Sequence, residues 1–127
     1  MKIAFVTPEL QSLVRRTSLA EVSESLSRTL RQEGADIRVF LPYSADVNAS
    51  PLAELKVSGE VRVKDGAGRQ TLTIHTGLLG DLPIVLIDHP QIIRAKHPYG
   101  DEDGPYADNW RRYALFSRAV IESLPVL

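Results

Sequence analysis

Lys2-Ile-Ala-Phe-Val6 and Ile37-Arg-Val-Phe-Leu41 are short, continuous apolar runs in the first third of this 127-residue chain. Such runs are typical of strands that are buried on both faces of a parallel sheet. Between them, an amphipathic stretch from about Leu19 predicts a helix, which Gly34 is expected to end. A strand, a helix and a strand in this order predict a right-handed parallel crossover.

The predicted helix separates its apolar and polar side chains. One face carries Leu19, Val22, Leu26 and Leu30, and the opposite face carries Glu24, Ser27, Arg28 and Arg31. Residues 7–17, which precede the helix, have no steady periodicity and contain Pro8, so they predict a loop. Ser18-Leu-Ala-Glu21 fits a capping box, in which Ser18 bonds an early helix N–H and Glu21 reaches back.

The rest of the chain predicts a β-hairpin, a third strand and a second helix. Two alternating segments, 55–64 and 69–76, flank Asp65-Gly-Ala-Gly68, where we expect the hairpin turn. Residues 82–88 are a buried type of strand. Residues 109–124 have helical spacing and end at Pro125. We expect the aromatic side chains of this helix, which are Trp110, Tyr113 and Phe116, in the core.

This order of elements predicts an α/β fold in one domain, residues 1–127. We expect a Rossmann-like, open, mostly parallel twisted sheet with flanking helices and one inserted β-hairpin. In a doubly wound sheet the first strand is central. If 82–88 lies beside 37–41, however, the other side of strand 2–6 is uncovered. An uncovered edge pairs readily with other chains, so we expect a homo-oligomer or a partner domain there.

Composition excludes several classes of function. The formal net charge of −1 gives no reason to expect nucleic acid or an anionic membrane as a partner. The chain has no cysteine, which excludes disulfides and zinc–thiolate sites. The N-terminal residues predict a first strand rather than a signal peptide, so we expect a cytoplasmic location.

Several motifs carry a family resemblance. They are Met1-Lys-Ile-Ala-Phe-Val-Thr-Pro-Glu9, Leu19-Ala-Glu-Val22, Asp36-Ile-Arg-Val-Phe-Leu-Pro42, Asp88-His-Pro90, Pro98-Tyr-Gly-Asp101 and Tyr106-Ala-Asp-Asn109. In this order and spacing, the chain resembles the N-terminal domain of bacterial glycogen synthases and plant starch synthases as far as about Ser123. Those proteins are retaining glucosyltransferases, and the resemblance implies half of their two-domain GT-B architecture.

The resemblance implies glucose transfer from ADP- or UDP-glucose to the end of an α-1,4-glucan, with the donor held between two Rossmann domains. We expect the chain to be inactive by itself, because the second domain and the family's Lys-Thr-Gly-Gly donor loop are missing. A sugar nucleotide or an α-glucan is expected as a ligand only with a second domain, and no cofactor is expected. The alternative is a non-catalytic interaction or regulatory module derived from that domain.

Three residues match donor-site positions of the family. Arg15 replaces the lysine of the donor loop, while Thr17 and Ser18 replace its two glycines, which let the backbone approach the sugar nucleotide. Asp108 matches an Asp that lines the cleft, and it also stands where a helix N-cap is expected. Glu9 matches a position near the cleft at the end of the first strand, and the alternative is a solvated loop carboxylate.

No metal site is expected. Asp101-Glu-Asp103 mimics the metal-binding D-x-D motif of other glycosyltransferases, but it belongs to a different fold there, and a solvated acidic loop is the favoured interpretation. The three histidines, His75, His89 and His97, have no metal-ligand spacing and are expected at the surface or in loops.

Overall fold

The computed structural model describes residues 1–66, 68–94 and 99–127. The strands are β1 (Lys2–Val6), β2 (Asp36–Pro42), β3 (Ala53–Asp65), β4 (Gly68–Leu79), β5 (Leu82–Asp88), β6 (Gly100–Asp101) and β7 (Gly104–Pro105). The helices are α1 (Leu19–Gln32) and α2 (Asn109–Ser123), and a short 3₁₀ helix follows at Leu124–Val126. None of the described helices is long and apolar enough to cross a membrane.

The first five strands form one sheet in the order β1-β2-β5-β4-β3. β2 is parallel to β1 and to β5, whereas β4 is antiparallel to β5 and to β3. Four strands therefore run in one direction and β4 in the other. This confirms the predicted open, mostly parallel α/β sheet with a hairpin. β6 and β7 pair only with each other.

The position of β5 beside β2 makes β1 an edge strand. Within residues 1–66, 68–94 and 99–127, β1 pairs with β2 alone. The uncovered side of strand 2–6 that the sequence predicted is therefore present in the structure.

The β3–β4 hairpin lies where the alternating segments predicted it. Gly66 has a φ of 62° in the turn, a conformation that glycine adopts without strain, and Ala67 lies outside the described residues. Arg111 of α2 donates from Nε to the Asp65 carboxylate at 3.1 Å. This bond to the guanidinium is the main cause that holds the pKa of Asp65 below its ordinary value. The turn is thereby tied to α2.

The sheet separates two apolar layers, and successive residues of β2 alternate between them. Phe40 packs under α2, while Val39 and Leu41 face the α1 side. The loop before α1 adds three buried side chains to the second layer, and they are Leu10, Leu13 and Val14. Residues 7–17 are a loop, as predicted, but they also form part of the core.

The buried face of α1 is not the apolar face of its sequence pattern. Leu19, Val22 and Leu26 have exposed fractions of 42%, 59% and 47%. Ala20, Ser23 and Ser27 are buried against the sheet instead. Because these side chains are small, the helix can lie close to the strands. The Ser27 hydroxyl donates to the Ser23 carbonyl oxygen at 2.7 Å, which satisfies its polar group inside the core.

The aromatic residues of α2 divide between core and surface. Phe116 is buried and Tyr113 is partly buried, so the prediction is confirmed for Phe116. It is wrong for Trp110, whose side chain is 76% exposed. With 3.6 residues per turn, Trp110 is on the side of α2 opposite the buried stripe that contains Phe116 and Val120.

Candidate functional site

The loop after β1 folds around the carboxylate of Glu9. Glu9 is fully buried, and its Oε1 accepts hydrogen bonds from the backbone N–H groups of Arg16 at 2.5 Å and Thr17 at 2.6 Å. Its Oε2 accepts from the Thr17 hydroxyl at 2.6 Å and from the Tyr99 hydroxyl. This cluster lies at the carboxyl end of β1, where open α/β sheets bind ligands. Of the two interpretations of Glu9, the solvated loop carboxylate is therefore wrong.

The hydrogen bonds favour the ionised form of Glu9. Burial raises the pKa of this carboxyl, but the hydroxyls of Thr17 and Tyr99 and the N–H groups of Thr17 and Arg16 lower it below its ordinary value. Burial, followed by the bond to Glu9, raises the pKa of the Tyr99 hydroxyl. Burial and then the charge of Glu9 raise the pKa of Tyr113 to about 12. The site thus holds a negative charge and two neutral phenols.

Thr17 connects this cluster to the start of α1, and sequence reasoning did not identify that role. Its hydroxyl donates to Glu9 and accepts from the Leu19 N–H at 3.2 Å. Thr17 therefore satisfies one of the free N–H groups at the helix start. A threonine just before a helix is a known capping residue, but its bond to Glu9 depends on how the loop folds.

The predicted capping box at Ser18 and Glu21 is wrong. Ser18 is the N-cap residue of α1, but its side chain makes no capping hydrogen bond. Its backbone has φ −64° and ψ −15°, which is helical, whereas a capping residue needs an extended conformation. Glu21 forms an ion pair with Arg15 instead, and both side chains are about half exposed. Arg15 therefore keeps its charge on the surface, paired with a carboxylate of α1.

Asp108 lies at the N-cap position of α2, as predicted, but its side chain does not cap the helix. Its Oδ1 accepts from Arg112 Nε at 2.9 Å, one turn further along α2. The Arg112 guanidinium also lies 4.7 Å from the centre of the Tyr106 ring. Asp108, Arg15 and Glu9 thus have three different sets of partners, and these contacts do not join them into one site.

Tyr99 connects the start of α2 to the Glu9 cluster. The Asn109 side chain donates from Nδ2 to the Tyr99 carbonyl oxygen at 2.7 Å, and the Tyr106 N–H donates to the same oxygen at 3.1 Å. Tyr99 belongs to a motif that the sequence singled out, although Pro98 lies outside the described residues. Its contact with Glu9 spans 90 positions, so only the fold could reveal it.

A second polar cluster lies beside the carboxyl ends of β2 and β5. Asp88 accepts from Arg94 Nε at 3.1 Å and from Arg94 Nη2 at 2.6 Å. His75 Nε2 lies 3.4 Å from Asp88, and the His75 ring meets the Tyr43 ring edge-on with centroids 5.1 Å apart. The Arg94 guanidinium lies 4.0 Å from the centre of the Tyr43 ring. Sequence reasoning missed this cluster because its members come from four separate segments.

His89 has a structural role in the turn after β5. Its Nδ1 accepts from the N–H groups of Gln91 at 3.2 Å and Ile92 at 3.1 Å. Nε2 therefore carries the proton in the neutral ring, and it lies 3.0 Å from Gln70 Oε1. Burial lowers the pKa of His89. The expected loop position is confirmed, but the side chain is buried rather than at the surface.

The acidic motif and the remaining histidine add no metal ligands that the structure can assign. Glu102 and Asp103 are exposed in the turn between β6 and β7, and the side chain of Asp101 is not described. His97 lies outside the described residues. Across the described parts of the chain, no group of three or more His, Asp or Glu side chains could hold a metal ion.

Comparisons with known proteins agree on one family. The sequence profile of the starch synthase catalytic domain matches residues 2–127. A glycogen synthase of Geotalea uraniireducens is 36% identical over 125 residues, which are 98% of this chain and 26% of that protein. Glycogen synthase 2 of Geobacter sulfurreducens is 31% identical over 124 residues, with the same coverage.

The fold comparison gives the same result. The catalytic domain of starch synthase IV from Arabidopsis thaliana, solved with ADP and acarbose bound, superposes with a TM-score of 0.83. It is 22% identical in sequence, and the match covers 96% of this chain and 24% of that one. The chain thus spans about a quarter of the length of the relatives it matches. By its sequence profile and its curated relatives, the chain belongs to the starch synthase catalytic domain family.

Proposed function

We propose that residues 1–127 form a single domain, equivalent to the start of a glycogen or starch synthase, that does not transfer glucose by itself. In the family that the chain resembles, the donor lies between two Rossmann domains. Catalysis needs both walls to hold the reacting groups in position. Glucosyl transfer from ADP- or UDP-glucose to an α-1,4-glucan would therefore be a function of a longer assembly, with this domain as one wall.

The closed loop around Glu9 carries this proposal. A diphosphate at this loop would need free N–H donors and room for a close approach. The N–H groups of Arg16 and Thr17 already bind Glu9, and Thr17 and Ser18 add side chains where the family has glycines. The charge of Glu9 would also repel a phosphate. We expect donor nucleotides to bind the isolated chain with a Kd weaker than about 1 mM.

Titration calorimetry with ADP-glucose and UDP-glucose tests this expectation directly. A micromolar Kd for either nucleotide would overturn the closed-loop argument. The double substitution Thr17→Gly with Ser18→Gly restores the two glycines and removes the Thr17 hydroxyl from the cluster. A matched control is Ser50→Gly with Ser58→Gly, at two exposed positions outside the loop. Transfer of radiolabelled glucose to glycogen by the purified 127-residue chain would refute the proposed inactivity.

A non-catalytic interaction or regulatory module is the second candidate. It is favoured by the same loop, because the groups that a nucleotide would use have acquired internal partners. A chimaera distinguishes the two candidates, with this chain in place of the matching quarter of the Geotalea uraniireducens glycogen synthase. Glucose transfer by the chimaera would support the enzyme. Transfer only after the loop is changed to Lys-Thr-Gly-Gly would support the non-catalytic module.

The expected ligands and location are proposals of the same kind. A sugar nucleotide or an α-glucan is proposed as a ligand only together with a second domain. The cytoplasmic location is also a proposal, and fractionation of the native cells tests it. We also propose that a second copy of the chain or a partner domain covers the outer edge of β1.

A further inference from the structure

The imidazole of His89 is held by partners that fix the position of its proton. Its Nδ1 accepts hydrogen bonds from the backbone N–H groups of Gln91 at 3.2 Å and Ile92 at 3.1 Å. Its Nε2 lies 3.0 Å from Gln70 Oε1, which can only accept. A neutral ring with its proton on Nε2 satisfies all of these contacts, and neither the other neutral form nor the protonated ring does so.

A chain of hydrogen bonds continues from Gln70 to α2. The Gln70 side chain bonds the Asp65 carboxylate, to which Arg111 also donates from Nε at 3.1 Å. Because an ionised carboxylate only accepts, the amide nitrogen of Gln70 faces Asp65 and its oxygen faces His89. Each bond of the chain therefore has one direction. Asp65 and Gln70 together keep the proton of His89 on Nε2, which leaves Nδ1 free to accept.

The turn formed by residues 89–94 depends on that acceptor. The His89 carbonyl oxygen accepts from the N–H groups of Ile93 at 3.2 Å and Arg94 at 2.8 Å, and Nδ1 completes the turn through Gln91 and Ile92. The side chains of Ile92 and Ile93 are buried in the apolar layer under α2. The bond from Ile92 N–H to Nδ1 is also buried. If Nδ1 stops accepting, this N–H is left unpaired as long as the turn stays closed.

The 89–94 turn ends on Arg94 and so positions its guanidinium. Arg94 donates to the Asp88 carboxylate from Nε at 3.1 Å and from Nη2 at 2.6 Å, and it lies 4.0 Å from the centre of the Tyr43 ring. Tyr43 and Asp88 stand at the carboxyl ends of β2 and β5, where open α/β sheets bind ligands. The conformation of this turn therefore determines where a positive charge lies at that edge of the sheet.

We propose that the 89–94 turn opens when His89 takes up a proton from solvent, and that opening releases Arg94 from Asp88. The added proton binds Nδ1, which then donates and can no longer accept. The protonated nitrogen faces the N–H groups of Gln91 and Ile92, so three donors meet without an acceptor. Opening of the turn separates them and gives each group access to water. This device does not depend on whether the chain is part of an enzyme.

The surroundings of His89 set the direction of the response. Asp88 of β5 and Asp65 of the hairpin favour the protonated ring, whereas Arg111 of α2 opposes it. Burial has the largest effect and lowers the pKa of His89, so the closed turn keeps a neutral ring. In the open turn, the solvated ring takes up a proton near its ordinary pKa of 6.5. Acid therefore favours the open turn, and the response lies below pH 6.5.

Native-state hydrogen exchange tests this opening. The protection factors of the Gln91 and Ile92 N–H groups should fall about threefold or more from about pH 7 to about pH 5.5. A local opening exposes little surface, so these factors should not change in low concentrations of urea. Those of Val85 and Leu86, in the buried strand β5, should be higher and should fall with urea. Arg94 Nε–H, which donates to Asp88, should lose protection together with the two turn amides.

Two histidine substitutions identify the group that responds. His89→Asn keeps an acceptor for the turn but does not titrate, so its protection factors should be the same at both pH values. His75→Asn is the matched control, since His75 Nε2 lies 3.4 Å from Asp88, and it should keep the wild-type response.

Four results would overturn the proposal. They are wild-type turn amides that do not respond to pH, turn and β5 amides with equal protection and equal urea dependence, a response that disappears in His75→Asn but not in His89→Asn, and an Arg94 Nε–H that stays protected while the turn amides exchange.

Discussion

The loop after β1 and the outer edge of β1 are neighbours along the chain, but the hydrogen bonding of their polar groups differs. In the loop, one buried carboxylate collects two backbone N–H groups and two hydroxyls. Along the edge, alternate N–H and C=O groups point outward beside exposed apolar side chains. At the carboxyl end of β1 the polar groups of the loop thus bond each other, whereas the outer side of β1 has no strand partner among the described residues.

The largest expected effect comes from opening the loop. Glu9→Ala removes a fully buried side chain and leaves the N–H groups of Arg16 and Thr17 and the Tyr99 hydroxyl without their acceptor in a partly buried cluster. We expect the free energy of unfolding to fall by about 3 kcal/mol or more. Urea denaturation measures the loss. Glu60→Ala, at an exposed position of β3, is the control and should cost less than about 0.5 kcal/mol. Equal losses in the two variants would contradict the structural role of Glu9.

The same cluster should appear in acid unfolding. The folded-state pKa of Glu9 lies below its ordinary value of 4.5, so its contribution is fully present above that pH. The contribution is lost as the pH falls through the folded-state pKa, because the unfolded chain then binds more protons. Glu9→Gln cannot titrate, and its stability should decline less steeply below about pH 4.5 than that of the wild type. Parallel curves would show that Glu9 has no special environment.

A third prediction compares substitutions on the buried and exposed faces of α1. Ser27 is fully buried against the sheet, so Ser27→Leu overfills the core and should cost about 2–3 kcal/mol. Leu26→Ser on the neighbouring exposed flank should cost less than about 1 kcal/mol. Thermal unfolding at a concentration where the chain is monomeric measures both. If Leu26→Ser were the more damaging change, the apolar flank would be part of the monomer core.

A smaller effect separates the two residues before α1. Thr17→Val removes the hydroxyl that bonds Glu9 and Leu19, and we expect a loss of about 1–2 kcal/mol. Ser18→Ala removes a side chain that makes no capping bond and should be neutral within about 0.5 kcal/mol. Chemical denaturation of Thr17→Ser, which keeps the hydroxyl, is the matched control. A larger loss at Ser18 than at Thr17 would restore the capping box.

The smallest effect is expected in the turn after β5. There, as in the loop after β1, a side chain accepts hydrogen bonds from backbone N–H groups. The pKa of His89 is lowered by burial, so its folded form stays neutral when the unfolded form begins to protonate near pH 6.5. Stability should therefore decline as the pH falls below 6.5. His89→Asn keeps an acceptor for the Ile92 N–H but does not titrate. Thermal melts of this variant should be flat between pH 7 and about pH 5.5; a slope equal to that of the wild type would assign the decline to another group.

The sequence by itself determined the order and type of the main elements. Continuous apolar runs predicted β1, β2 and β5, because a strand that is buried on both faces has apolar residues at successive positions. The alternating segments around Gly66 predicted the hairpin, because a strand that is buried on one face alternates apolar and polar residues. The motif order also identified the family. The expectation of an uncovered β1 edge was conditional on β5 lying beside β2, and the structure supplied that condition.

Only the tertiary structure decided which groups meet. It buried Ser23 and Ser27 instead of Val22, because close packing and internal hydrogen bonds outweighed the apolar pattern. It placed the Tyr99 hydroxyl against the Glu9 carboxylate, 90 positions away in the sequence. Glu9, which matches a family position near the cleft, is therefore hydrogen-bonded within the protein. A local pattern records periodicity and propensity, whereas hydrogen bonds between distant segments depend on how the elements pack. For that reason the element order was readable in advance, and the state of the candidate site was not.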